Sequence, residues 1–299
     1  MTSTSGFGTL ARVRLCAQIV FSTLLVLPLC GQDYEIRLFR PTTAGERYRQ
    51  VTQVEERLEK ATIKEGRVIK ETNDVFAVYF DATVIIDAVN PKTQASRVSY
   101  VIEKVEVTRD GKKLFFLPGG LAVARKFDGQ KLVFQIGGKA AEGDVHRALS
   151  MVSELKTSES DDDETFGTKS RKKPGDTWKI NPRLLKEGDA SGFKFDDVDG
   201  TVTFSEITRH NGEDMLRISA NITGKFVASP EDQKGPDLTS INEWWEGIFP
   251  VDATQPVVEL SEKTTIFISA NVLDKTGEPE VQVRRNYVRT AKTKLARLP

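Results

Sequence analysis

Few residues in this chain have types and spacing that could do chemistry. Asp196-Asp197-Val198-Asp199-Gly200 clusters hard carboxylate oxygens beside a glycine, the kind of set that can hold a calcium ion. Its spacing differs from the loop that places acids at alternate positions and a glutamate twelfth, and a plain turn accounts for the same residues. Trp244-Trp245, with Phe249 nearby, could stack on a sugar or plug a lipid-holding cavity. The alternative is structural, with one indole closing a sheet core and the other packing beneath a loop. Only His146 and His210 are present, and neither has a second ligand at metal spacing. No HExxH, GxSxG, Walker or GxGxxG phrase occurs, and Gly119-Gly120 and Gly137-Gly138 lack the strand-glycine-helix setting of a phosphate site. A pair of carboxylates for glycoside hydrolysis could be drawn from 43 acids, but none stands out. No catalytic residue, cofactor or firm metal site is therefore assigned.

Composition narrows the partners. The 299 residues carry 43 basic and 43 acidic side chains, so nothing favours bulk attraction to nucleic acid. Arg12 and Arg14 precede an apolar run from Leu15 to Leu29, with no acid before Asp33. That pattern reads as a secretory signal peptide over residues 1–31, since a spanning helix needs about 20 apolar residues. Cleavage after Gly31 would leave Gln32 first, giving a secreted or periplasmic protein. A lipoprotein anchored through Cys30 is the alternative, and only that would attach the chain to a membrane. Cys16 and Cys30 both belong to the removed part or its edge, so the mature chain is expected to use no disulfide and no thiol.

The elements around these residues read mainly as strands. Tyr34 to Phe39 alternates, Val75 to Phe80 and Thr83 to Ile86 are apolar enough for central strands, and Val98 to Val107 alternates again. Asp110-Gly111, Asp128-Gly129 and Asn211-Gly212 each sit between strand patterns and predict hairpins. One helix is expected over 145–155, where Val145, Leu149, Val152 and Leu155 recur at helical spacing. Residues 157–173 read as a charged, exposed connector. Thr201 to Thr208 and Met215 to Phe226 alternate, a Pro, Gly and Asp-rich stretch runs from Ser229 to Pro256, and the chain closes on a strand from Glu280 followed by a frayed basic tail.

Ala44-Gly45-Glu46-Arg47-Tyr48-Arg49 is echoed by Pro174-Gly175-Asp176-Thr177-Trp178-Lys179, each a glycine turn, an acid and an aromatic leading into strand text. These are read as the openings of two β-rich halves, 32–156 and 174–299. Spacing beyond them diverges, so a true duplication and independent use of common turn text both stay open. The residues Gly45 to Tyr48, Val145 to Leu155 and Phe166 to Trp178 resemble a group of exported bacterial β-rich proteins that has no assigned activity. The resemblance implies export and a β fold, and no catalytic residue. The resulting expectation is a mainly β protein, two antiparallel lobes of half-barrel, clam or sandwich type with one bridging helix. Its expected role is non-enzymatic binding of a lipid, a glycan or an envelope protein, with Trp244, Trp245 and Phe249 as ligand-binding candidates and Asp196, Asp197 and Asp199 as metal candidates. An envelope polysaccharide hydrolase or a structural scaffold is the alternative.

Overall fold

Alternating side chains turn most of this chain into long strands. A computed structural model describes residues 32–128, 131–153, 162–187, 194–227, 238–273 and 279–299. The expected signal peptide with Cys30, Gly129 and residues 157–161 of the charged connector lie outside the described residues.

Asp33–Pro299 form one compact unit. In its first half run β1 (Arg47–Lys64), β2 (Arg67–Val89), β3 (Ala95–Arg109), β4 (Lys112–Leu117), β5 (Ala122–Asp128), β6 (Lys131–Ile136), β7 (Lys139–Ala140) and helix α1 (Gly143–Val152). Then come helix α2 (Asp162–Phe166), β8 (Thr177–Lys179), helix α3 (Pro182–Glu187), β9 (Lys194–His210), β10 (Glu213–Val227), β11 (Leu238–Pro250), β12 (Glu259–Leu273) and β13 (Pro279–Arg297). All thirteen strands join one sheet in the order β7-β6-β5-β3-β2-β1-β13-β12-β11-β10-β9-β8, with β4 beside β3. Every pairing is antiparallel. The ends, β7 and β8, are not paired with each other, so the sheet is open.

The mainly β, antiparallel expectation is observed. Asp110 and Gly111 both adopt positive φ, as do Asn211 and Gly212, which is the backbone a two-residue hairpin turn needs. Four expectations change in detail. Helix α1 starts at Gly143 and ends at Val152, and two further short helices stand beside it. Helix α2 falls in the stretch read as a loop, where Phe166 packs on the second apolar core and Thr165 is buried. The basic tail does not fray, since β13 runs to Arg297 and is paired with β1 and β12 along its length. Leu238 to Pro250, inside the stretch read as irregular, is a strand.

Two apolar cores lie on the same face of the sheet. The register places Val78, Val54, Ala291, Glu262, Trp245 and Ala220 in one row across six neighbouring strands, and directly opposed residues share a face. At one end of this row Phe76, Phe80, Tyr100, Phe134 and Leu149 form the first core. At the other, Val202, Phe204, Ile218 and Trp245 form the second, joined by Tyr34, Ile36 and Leu38 from the start of the unit. Full burial of each large side chain contributes roughly 1.5–3 kcal/mol, so both cores are substantial.

The two echoing turns have the same hydrogen bonds. Gly45 N donates to Ile86 O and Ile86 N to Glu46 O, at 2.8 and 3.0 Å. Gly175 N donates to Phe204 O and Phe204 N to Asp176 O, at 2.6 and 3.0 Å. In each turn the acid also accepts from a backbone N–H three residues before it, Thr43 to Glu46 and Lys173 to Asp176. The shared phrase therefore docks the start of β1 on β2 and the start of β8 on β9 in one manner.

Candidate functional site

Between the two cores the middle strands carry small or polar inward side chains. Gln50, Thr52, Ala291 and Thr293 occupy rows whose outer members are Ala82, Phe80, Val78 and Trp245. Gly247 lies in the Thr52 row and has no side chain of its own, and the Phe249 ring folds back over it. Short side chains here and long ones on either side leave space that neither core fills. The result is a cavity of about 500 Å³, within the ~300–1,000 Å³ typical of small-ligand sites.

Its walls come from both cores. Tyr48, Val84, Ile86, Val98 and Tyr100 line one side, and Trp245, Phe249, Val257 and Leu260 the other. Leu38 to Arg40, Phe166 and the end of α1 complete the lining. Helix α1 is fixed there by its C-terminal carbonyls. Gln50 Nε2 donates to Val152 O at 2.8 Å and Arg289 Nη2 to Met151 O at 3.1 Å, satisfying groups that a helix end leaves open. The Arg289 cation also suits the negative end of the helix dipole, and its Nη1 pairs with Glu262 at 3.1 Å. One turn earlier, Arg147 Nη2 donates to Glu56 at 2.9 Å, while Tyr287 Oη donates to the other Glu56 oxygen at 2.8 Å.

Phe166 owes its place to the motif in which it stands. Trp178 Nε1 donates to Phe166 O at 2.7 Å, and the Phe166 ring meets Trp245 edge-on at 5.4 Å. Trp245 in turn meets Phe249 at 6.3 Å, so three aromatics form one continuous wall.

Three arginines, Arg40, Arg125 and Arg289, and three acids, Asp162, Glu243 and Glu262, also stand in this lining. Arg125 is 5% exposed, lies 5.5 Å from the Tyr100 ring centre, and has its pKa pushed down by burial against the opposing pull of Tyr100 and Tyr48. Arg40 lies 5.6 Å from the Phe249 ring centre and donates to the carbonyls of Pro250 and Asp252. Burial lowers its pKa to about 10, outweighing Asp163 and Asp252, and leaves it charged at neutral pH.

The phenols of this region shift the other way. Burial raises Tyr48, Tyr100 and Tyr287 above their ordinary 10, helped by Glu46 at Tyr48 and by Glu56 at Tyr287. The unfolded chain then loses these protons first as pH rises. The associated stability is complete below pH 10 and declines as pH climbs from there through the raised folded values. In an alkaline titration, phenolate absorbance from these three residues is expected to emerge together with loss of the strand signal in circular dichroism. Ionisation of all three near pH 10 with the sheet intact would contradict their burial.

The residues singled out from the sequence separate. Trp245 is 8% exposed and lines the cavity with Phe249. Trp244, its neighbour in β11, points to the opposite face and is absent from the lining. Asp197 and Asp199 stand on β9 rather than in a turn, both exposed, with Asp199 held by Lys179 at 2.7 Å and by Gly200 N. The Asp196 side chain lies outside the described residues. Among the described residues no three His, Cys, Asp or Glu side chains gather as a metal site. His146 approaches Leu132 O at 3.1 Å through Nε2 and packs on Phe134, and His210 is exposed at the end of β9. The sequence reading missed Arg40, Tyr48's cavity role, Arg125 and the Thr52–Thr293 floor. A signal existed for one of them, because Tyr48 is the aromatic of the first echoing phrase.

No protein-family model matches the chain, and no curated protein does. Among solved structures, one described as lipid–protein interactions in lipovitellin aligns at TM-score 0.34 and 11% identity, over 86% of this chain and 25% of that one. This chain thus spans about a quarter of the lipovitellin chain's length. A LolA superfamily protein from Nitrosomonas europaea aligns at TM-score 0.18 and 10% identity, over 83% and 87% of the two chains. OpdQ from Pseudomonas aeruginosa aligns at TM-score 0.22 and 6% identity, over 83% and 98%. All three TM-scores lie below 0.5, so none assigns the chain a fold family. Among the described residues no helix is long and apolar enough to cross a membrane.

Proposed function

We propose that this chain is a binding protein that holds one hydrophobic ligand in the cavity between its two cores, and that it does so after export through the segment 1–31. One observation carries the binding reading. The sheet is filled at both ends and left unfilled at its middle, where small side chains floor a space of about 500 Å³ walled by aromatic and aliphatic groups. A core that served packing alone would close that space, because protein interiors approach crystal density. Arg12 and Arg14 in an acid-free start, and the apolar run behind them, support export.

The reading is tested with a neutral naphthylamine fluorophore titrated into the full chain. One saturable site is expected, with Trp245 emission falling as the fluorophore fills the cavity beside it. Emission that rises without saturation, or saturates with Trp245 unaffected, would overturn the proposal.

A further inference from the structure

Arg40 adds a chemical requirement to that cavity. Its two terminal nitrogens are engaged by the Pro250 and Asp252 carbonyls, which are neutral acceptors. Its Nε is buried and has no hydrogen-bond partner. The two carboxylates that act on it electrostatically, Asp163 and Asp252, are held by other donors. Asp163 accepts from the backbone N–H groups of Leu38 and Phe39, and Asp252 from Thr254 N and Oγ1 at 2.9 and 2.8 Å. Neither comes within ion-pairing distance of Arg40 among the described residues. A half-buried cation with a spare donor costs stability unless an anion completes it. Its partial exposure puts it where the lining meets solvent.

We infer that the ligand is a single-chain anionic amphiphile, with its acyl chain in the cavity and its anionic head against the Arg40 guanidinium. The inference rests on the cavity being a hydrophobic site, and narrows what enters it. Size sets the single chain: a methylene takes about the space of a water's ~30 Å³ share, so 500 Å³ holds on the order of one sixteen-carbon chain. Charge sets the head. Phe249, lying against the guanidinium, continues the apolar wall up to the cation, so chain and head are read by adjoining groups. Carboxylate and phosphate heads share the acceptor chemistry that Arg40 requires.

The test compares displacement of the neutral naphthylamine fluorophore by oleate and by oleyl alcohol. In the unsubstituted full chain, oleate is expected to displace at least tenfold more effectively than the alcohol. Arg40→Gln should bring oleate to within about threefold of the alcohol while leaving the alcohol and the fluorophore within twofold, which also shows that the variant is folded. A single-chain lysophospholipid with a phosphate head should follow oleate. Acetate and inorganic phosphate should displace nothing, and displacement by either would mean that the anion alone is read. Equal displacement by oleate and oleyl alcohol in the unsubstituted chain overturns the anionic head while the hydrophobic site stands. So does an oleate preference that survives Arg40→Gln. Failure of the fluorophore itself to bind overturns the hydrophobic site and this inference with it.

Discussion

Trp245→Ala is expected to lower stability by about 3–5 kcal/mol, whereas Trp244→Ala should cost under about 1 kcal/mol. Trp245 is 8% exposed and stands between Phe166 and Phe249. Its loss removes the central member of an aromatic wall and enlarges an existing void, so the surroundings cannot close over it. For a chain of this size, each kcal/mol moves the melting temperature by roughly 2–4 °C, which places Trp245→Ala about 6–20 °C below the parent. The same variant should weaken the neutral fluorophore at least tenfold, and Trp244→Ala should leave it unchanged. Thermal unfolding followed by circular dichroism, with fluorophore titration, measures both. Equal effects from the two tryptophans would show that they share a face, contrary to the register of β11.

Glu56→Ala is the second large effect. Glu56 is 15% exposed and joins three elements, standing on β1, accepting from Arg147 on α1 and accepting from Tyr287 on β13. Removing it strands a half-buried guanidinium and a phenol that burial already holds neutral. Breaking one side of a buried charged pair costs about 3–5 kcal/mol. Arg147 retains its stack on Phe76 at 4.1 Å and a 4.0 Å approach to Asp74, which places the expectation near about 3 kcal/mol. Glu56→Gln keeps an acceptor for Tyr287 and should cost only about 1 kcal/mol. Urea unfolding at neutral pH ranks the variants, and amide exchange in α1 should rise in Glu56→Ala before global unfolding. A Glu56→Ala that unfolds like its parent would mean that α1 is held by its apolar face alone.

Local text was enough for much of the fold. Strands were legible because a half-buried strand must alternate, as Val98, Tyr100 and Ile102 do. The hairpins at Asp110-Gly111 and Asn211-Gly212 were legible because positive φ favours those residues at those places. The repeated glycine turn was legible as a phrase, and the structure adds that its two copies dock in one manner. Long-range pairing was not legible. Nothing near Arg297 announces that it lies opposite Tyr48, because antiparallel strands of like alternation can pair with many partners.

The site divides along the same line. Residue type alone marked Trp245 and Phe249, since large aromatics in a β protein must be covered by something. It marked Trp244 equally, and only the pleat of β11 sends the two indoles to opposite faces. Asp197 and Asp199 looked like a cluster in sequence, yet on a strand they are an exposed alternate pair. Arg40 had no local signature at all. Its meaning comes from Pro250, Asp252 and Phe249, more than two hundred positions away, which the sheet brings beside it. By itself, then, the sequence determined the strand-forming pattern, its tight turns and the balance of charge, all of which depend on neighbours in the chain. Only the tertiary structure decided which face each side chain takes, where the middle of the sheet is left unfilled and which cation meets that space, because those depend on register between distant strands.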